Sequence, residues 1–409
     1  MAFAESSWFM RDILGRQSHL GYCTNVHAGH SLAEIRANLE RHAAGVRRIA
    51  SPDQSLGIGL WLPHGAIADA PFAEFEKLRA TLNEHGLYVF TMNGFPYGDF
   101  HAEVVKHAVY RPDWSQPERL EFTAELAVKL ASLTAGAEGS ISTLPIGWKA
   151  EFQDRSRLEA AAHALRKLAV TLHELHERLG HNLHVDLEPE PGCYLETSAD
   201  VVAFFEKYLL HDRHGDLARR YIRVCHDVCH AAVMFESQRE VFERYANAGI
   251  EVGKVQISSA LCVPFDTMDE DAQREALAAY GQFVERRFLH QTVVQKARRH
   301  EGTEARRAFY PDLPDALASI TNGELPCGEW RTHFHVPVFL DRIGPLKTTR
   351  VEIAEALRAA RELSNCRHFE VETYAWEVLP SELRVDILAE GIARELTWVR
   401  DLARDEALE

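Results

Sequence analysis

Short apolar runs alternate along this chain with longer stretches whose apolar positions recur every three or four residues, the periods of strand and amphipathic helix. LGYCTNVHA (20–28) is the first strand-like run, and the helical stretch SLAEIRANLERHAAGVRRI (31–49) opens on Ser31 with Glu34 three residues on, a capping box. SLGIGLWLP (55–63) and PFAEFEKLRATLNEHG (71–86) repeat the unit, the second closed by a glycine of the kind that ends helices. LYVFTMNGFP (87–96) with PERLEFTAELAVKLASL (117–133) is the third, and SISTLPIGW (140–148) with a helix over 152–179 the fourth. HNLHVDLEPEPG (181–192), YIRVCHDV (221–228), VGKVQISSAL (252–261) and RHFEVETYAW (367–376) are the later strands, with helices over 198–210, 240–249, 349–364 and 381–403. Strict alternation predicts a parallel sheet, and eight units predict an α/β fold closed as a (β/α)8 TIM barrel.

A plain barrel needs ~250 residues. Most of the excess falls between the seventh and eighth strands, residues 262–347, where FLHQTVVQ (288–295) and RTHFHVPVFL (331–340) read as two further strands. An insertion over the barrel mouth is expected. No Gly/Ser linker or low-complexity segment marks a boundary, so residues 1–409 are read as one elaborated domain.

Charge narrows the partners. The formal net charge is −16, from 61 acidic and 45 basic residues, which disfavours a nucleic-acid backbone or an anionic membrane as a general partner and suits a small neutral or cationic ligand. Seven cysteines, at 23, 193, 225, 229, 262, 327 and 366, do not resemble a disulfide framework and suit a reducing compartment. Cys225 and Cys229 lack a second pair to make a zinc knuckle and are read as small buried residues. Glu5, Arg11 and Asp12 interrupt the first residues before a signal-length apolar stretch develops. No segment approaches the ~18–20 apolar residues that span a bilayer. A cytoplasmic location without membrane insertion is expected.

In such a barrel the C-terminal strand ends converge on one site. Tyr221–Ala232, YIRVCHDVCHAA, sets Asp227 and His230 three residues apart where a strand gives way to a helix start. Asp186, Glu188 and Glu190 end the fifth strand and share a face if the strand continues that far; His226 precedes Asp227, Gln256 ends the seventh, and Glu370 and Glu372 end the eighth. The last carboxylate of each strand sits highest in the mouth, which favours Glu188 and Glu372. His333 and His335 would face one side of a strand, as ligands or substrate contacts. Two Glu, an Asp and a His suit a divalent metal ion, Zn, Mn, Co or Mg, and ligand type alone does not choose among them. The competing reading pairs each carboxylate with a Lys or Arg. His27, Trp61, His64 and Asn93 end earlier strands and are read as substrate-pocket lining, with Tyr374 and Trp376 as an apolar wall. No glycine-rich phosphate loop, nucleophile elbow or HExxH occurs.

With these residues assembled, the chain resembles the xylose-isomerase-like superfamily of metal-dependent barrels, which includes sugar isomerases, ketose epimerases and apurinic endonucleases. GYCTNVHAGH, LEPEPGC, HDVCHAAV, KVQISSAL, LHQTVV, HFHVPVF and FEVETYAW, spanning residues 21–376, together resemble its EboE-type metabolite-traffic branch. The resemblance implies metal ligation by Glu188, Asp227, His230 and Glu372, with Glu188 and Glu372 also acting as acid and base on opposite faces of the substrate. It departs at Gln256, where the superfamily usually has His; His333 or His335 could compensate. The function expected is that of an isomerase or epimerase acting on a hydroxy-carbonyl small molecule, with Glu190 as a substrate-binding residue, in secondary-metabolite processing or transport. A non-catalytic, metal-dependent metabolite binding or traffic protein is the alternative. Proteins of the same metabolite-traffic cluster are the implied partners. Phosphodiester cleavage fits poorly with the acidic charge.

Overall fold

Strands form where buried apolar and small residues run unbroken. The computed structural model describes residues 18–408 apart from 69, 135, 212–214, 297–305, 321–323, 381–384 and 386. In it β1 (His19–Cys23), β2 (Leu56–Trp61), β3 (Leu87–Asn93), β4 (Glu138–Thr143), β5 (Asn182–Leu187), β6 (Ile222–Asp227) and β7 (Val252–Ile257) lie side by side and parallel. A closing strand, His368–Val371, pairs with both β7 and β1 and completes a closed eight-stranded parallel barrel. Helices cover its outside. Ser31 and Glu34 form the expected capping box on Leu32–Asn38, Pro117 begins the helix Pro117–Leu133, and Asp154 and a left-handed Gly180 bound the helix Arg155–Leu179. The C-terminal helix is described over Leu388–Leu408; the start expected at 381 lies outside the described residues.

The strands stop short of their expected ends, and β5, the segment over 331–340 and the closing strand do so where site residues stand. β5 ends at Leu187, because Pro189 and Pro191 cannot donate to a ladder and Glu190 N bonds Leu195 O instead. Glu188 and Glu190 therefore stand on a loop, not on one strand face. The segment expected as a strand over 331–340 is strand only to Thr332. Beyond it His333 N bonds Gln291 O and Val336 N bonds Ser259 O, so HFHVPVF crosses the barrel rim as a loop. The closing strand ends at Val371, and Tyr374–Glu377 turns as a 3-10 helix.

The insertion builds a second sheet. β8 (Leu261–Pro264) leaves β7 after three residues and joins β9 (Thr292–Lys296), β10 (Arg306–Tyr310), β11 (Glu329–Thr332), β12 (Arg342–Ile343) and β13 (Leu346–Thr348) in the order β10-β9-β11-β8-β13-β12, all antiparallel.

Polar side chains fill much of the barrel interior. His184 Nδ1 lies 2.6 Å from Asp186 Oδ1, and Lys254 Nζ lies 2.5 Å from Glu370 Oε2, all fully or almost fully buried. Glu370 packs over β2 only because residue 59 is glycine: a Cβ there would lie 1.2 Å from Glu370 Oε1. Six of the seven cysteines are buried, Cys327 is exposed, and none is bridged. Among the described residues no helix is long and apolar enough to cross a membrane.

Candidate metal centre

Asp227 is at once the last residue of β6 and the N-cap of the helix Val228–Val233, its Oδ1 accepting from His230 N at 2.8 Å. A second bond to the same oxygen, from Ser258 Oγ at 2.8 Å, locks the carboxylate. Oδ2 is left buried without a partner. His230, in the first turn of that helix, is thereby aimed at the barrel axis.

Three imidazoles meet above Asp227. His230 Nε2 and His333 Nε2 are 3.2 Å apart, as are His333 Nε2 and His335 Nε2. Each Nδ1 faces a carbonyl oxygen, which can only accept: His230 donates to Pro189 O at 2.9 Å, His335 to Glu372 O at 2.9 Å, and His333 to Gln291 Oε1 at 2.8 Å. All three rings must therefore carry their proton on Nδ1 when neutral, leaving three Nε2 lone pairs turned toward one region. Nitrogens around one tetrahedral zinc-like ion, with bonds of 2.0–2.1 Å, stand about 3.3 Å apart. His290 steadies the arrangement, donating from Nδ1 to His333 O at 2.9 Å.

Carboxylates complete the set. Glu188, Asp227 and Glu372 offer oxygens all within 4.8 Å of one another, and the groups Asp227, His230, His335 and Glu190, His230, His333 meet the same limit. Asn25 and Asn93 each donate to Glu372 Oε1, at 2.9 and 3.0 Å. Tyr110 and Gln291 donate to Glu190 Oε1, at 2.8 and 2.9 Å. Glu188 Oε2, like Asp227 Oδ2, is buried without a partner. Among the described residues no arginine or lysine closes on these oxygens, so the ion-pair reading does not hold there for Glu188, Asp227 and Glu372. It holds one layer down, where Glu370 pairs with Lys254.

Burial and mutual repulsion set the protonation. Burial, then the charges of Glu372 and Asp227, push the Glu188 carboxyl well up; burial, then Asp227 and Glu370, push Glu372 up. Burial raises Glu190 to about 7 against its hydrogen bonds from Tyr110 and Gln291. Burial lowers His230 to about 3 and His335 to about 4, the latter against the pull of Asp227, and lowers His333 far below its usual range. Raised carboxyls beside lowered imidazoles would let a divalent cation bound among them displace protons from the carboxyls and meet imidazoles that carry no charge. A pH dependence follows. Carboxyls raised in the fold bind protons more tightly there than in the unfolded chain, so stability falls as pH climbs from about 4.5 through 7 and beyond. Buried imidazoles do the reverse, losing stability as pH falls from about 6.5 toward 4. Metal-stripped protein should therefore melt highest between about pH 4.5 and 6.5. Zn²⁺ should raise the midpoint more at pH 8 than at pH 5, because at pH 5 it must displace protons. Thermal scans from pH 4 to 9, with and without chelator, check both limbs; a metal-free midpoint that keeps rising to pH 8 would contradict the assignment.

No protein-family model matches the chain, and no curated protein sequence matches it. Among solved structures it is similar to a xylose isomerase-like TIM barrel protein from Mycobacterium smegmatis in complex with magnesium, at 12% identity and a TM-score of 0.53, covering 95% of this chain and 98% of that one. The fold is that of a xylose isomerase-like TIM barrel. Weaker likenesses include the IOLI protein with a binding zinc atom (10% identity, TM-score 0.45, 95% and 98% covered) and a D-tagatose 3-epimerase-like protein (10%, 0.45, 94% and 98%). At such identities the barrel is what is shared, and the chemistry rests on the residues.

Within that barrel the strand ends do not all reach the mouth cavity. Asn25, Asn93, Glu188, Glu190, His230, His333, His335, Glu372 and Tyr374 line it. Trp61 stands behind it, its ring edge against Phe100 and its Nε1 donating to Pro96 O at 3.0 Å. His27 is buried against Tyr22 and His42, and His64 stacks on Tyr97. Trp376 packs against Gly391 of the C-terminal helix, and His226 bonds Gln238 at 2.7 Å away from the cluster. Gln256 is level with Asp227 and Glu370; its amide lies beside Glu370, outside regular hydrogen-bond geometry. Asn25, Tyr110 and Gln291 were not foreseen as site residues. Asn25 and Gln291 do lie within the motifs GYCTNVHAGH and LHQTVV, a signal of place but not of role.

Proposed function

We propose that this chain is a divalent-metal-dependent protein of the EboE-type branch, acting as an isomerase or epimerase on a hydroxy-carbonyl small molecule in secondary-metabolite processing or transport. The meeting of three Nε2 lone pairs beside the buried, unpartnered Oδ2 of Asp227, whose carboxylate also lies within 4.8 Å of oxygens of Glu188 and Glu372, carries the reading. His230, His333 and His335 with Asp227, Glu188 and Glu372 would hold the ion, Gln256 being their neutral neighbour; three imidazoles in the set favour a transition metal such as Zn or Co over Mg. Bound there, the ion would gather adjacent carbonyl and hydroxyl oxygens and stabilise negative charge developing on them. Glu188 and Glu372, their carboxyls raised by burial and by neighbouring negative charge, are suited to move a proton at the carbon that bears the hydroxyl. Asn25 and Asn93 hold Glu372 in place for it. We read residues 1–409 as one domain whose insertion closes the mouth: Val105 N and Lys106 N of the loop after β3 bond Arg287 O at 2.8 and 2.9 Å. That closure also favours the second reading, a binding protein that shields a metabolite and hands it to proteins of the same cluster.

Deuterium exchange separates the two. Metal-loaded protein incubated in D2O with α-hydroxy-aldehydes and α-hydroxy-ketones should exchange the hydrogen at the carbinol carbon, followed by NMR. Glu188→Gln should reduce exchange by at least ~100-fold, in the range general acid–base catalysis contributes. A ligand that binds with no exchange in the wild-type protein would leave the traffic reading standing and remove the isomerase one.

A further inference from the structure

The half of the mouth cavity that faces the metal ligands is almost wholly carbon. Phe95, Phe100, Val105, Phe288, Leu289 and Tyr374 line it, the first five buried. Phe100, Phe288 and Tyr374 form a cluster of three rings, with centroids 4.8 Å apart for Phe100 and Phe288, 5.4 Å for Phe100 and Tyr374, and 5.0 Å for Phe288 and Tyr374. Tyr374 also packs its ring 4.8 Å from that of His335, so the carbon wall begins where the metal ligands end.

Apart from the Tyr374 hydroxyl, which points at the ligand end of the cavity 3.4 Å from His333 Nε2, the polar groups around it named next are already engaged. The amides of Asn25 and Asn93 donate to Glu372, and the Tyr110 hydroxyl donates to Glu190. Lys106, the cation among the lining residues described, is held by Asp312 at 2.5 Å. A sugar chain or a phosphate placed against Phe100 and Phe288 would leave its hydroxyls or charge without partners, which is costly in a dry site. One acceptor is free near the ligands: Asn25 Oδ1, buried and without a partner, suited to a single hydroxyl.

The geometry points to a substrate with two adjacent oxygens at one end and a compact, carbon-rich ring at the other, the ring seated against Phe100, Phe288 and Tyr374. This rests on the metal reading above and departs from it in the body of the ligand, which is apolar where a sugar's is polyhydroxylated. Edge-to-face contacts with three rings reward an aryl or similarly unsaturated ring over a flexible chain.

Hydroxamates test the two ends separately, since each presents the same pair of adjacent oxygens to the ion. Acetohydroxamate, benzohydroxamate and gluconohydroxamate would be titrated into the zinc-loaded full chain by calorimetry, each corrected for its affinity for free zinc. Benzohydroxamate should bind about 10–100-fold tighter than acetohydroxamate, from the extra carbon surface buried, and gluconohydroxamate no tighter than acetohydroxamate. In Phe100→Ala and Phe288→Ala the benzohydroxamate advantage should shrink several-fold while acetohydroxamate affinity stays. Equal affinities for the first two, or tightest binding of gluconohydroxamate, would overturn the ring proposal and leave the metal centre intact. Failure of all three to bind would bring down the metal reading and this proposal with it. The wild-type comparison decides the matter even if a variant does not fold.

Discussion

Asp227→Asn is expected to strip the protein of retained metal while leaving the barrel folded. Asparagine keeps the Oδ1 acceptor that caps the helix at His230 N and receives Ser258 Oγ, so the local structure loses little. It replaces the unpartnered Oδ2, which lies 3.8 Å from His335 Nε2, with an amide NH2 that cannot ligate. Loss of an anionic ligand should weaken binding by more than the ~10–100-fold typical of removing an outer hydrogen bond to a ligand. Elemental analysis of tag-free protein should find a retained ion in the wild type and none in the variant. The stabilities should then cross. An ion present at a hundred times its dissociation constant stabilises the wild type by about 2.7 kcal/mol, which chelation removes. In the metal-free state the Asp227 charge is a burden, because it raises both Glu188 and Glu372. Metal-free Asp227→Asn should thus melt at or above metal-free wild type. A wild-type protein that holds no ion, and gains no stability from added Zn²⁺, Mn²⁺ or Co²⁺, would sink the metal centre.

Lys254→Met should cost the fold about 3–5 kcal/mol, the usual penalty for leaving one half of a buried ion pair. Lys254 and Glu370 are both fully buried and 2.5 Å apart. Burial alone would lower the lysine, but the Glu370 carboxylate, with smaller help from Cys225 and Cys23, offsets this and holds it protonated. Without the lysine, Glu370 must take up a proton in the barrel interior, so the deficit should grow as pH rises from 5 to 8. Removing both charges, in Lys254→Met/Glu370→Gln, should recover most of the loss, since an uncharged pair leaves no ion unpaired. Urea denaturation of the singles and the double closes the cycle; a double variant no more stable than Lys254→Met would show that packing, not charge, is at stake. Lys254 also draws Glu188 and Glu372 downward.

Much of this was legible before folding was considered. The helix Pro117–Leu133 has the bounds its periodicity and opening proline predict, and the Ser31–Glu34 capping box forms as read. Eight alternating units became a closed parallel barrel. Asp227 and His230 could be placed together because both lie within one turn of a strand-to-helix junction. The expected strand over 331–340 failed at His333, where bonds to Gln291 and Ser259, distant in sequence, outweigh local alternation. His27, His64 and Trp376 were read toward the pocket from their places beyond strands, yet each packs among neighbours from other elements.

What the sequence by itself determined is whatever depends on near neighbours: the period of each element, its caps, the barrel that eight such units close, and which carboxylates stand at strand ends. What only the tertiary structure decided is which lone pairs meet. The carbonyls of Pro189 and Glu372 and the amide of Gln291 fix the imidazole tautomers from across the barrel. Phe100 and Phe288 reach the same cavity from loops almost two hundred positions apart. Such contacts follow no period, because a loop's path is set by the hydrogen bonds it finds at its destination.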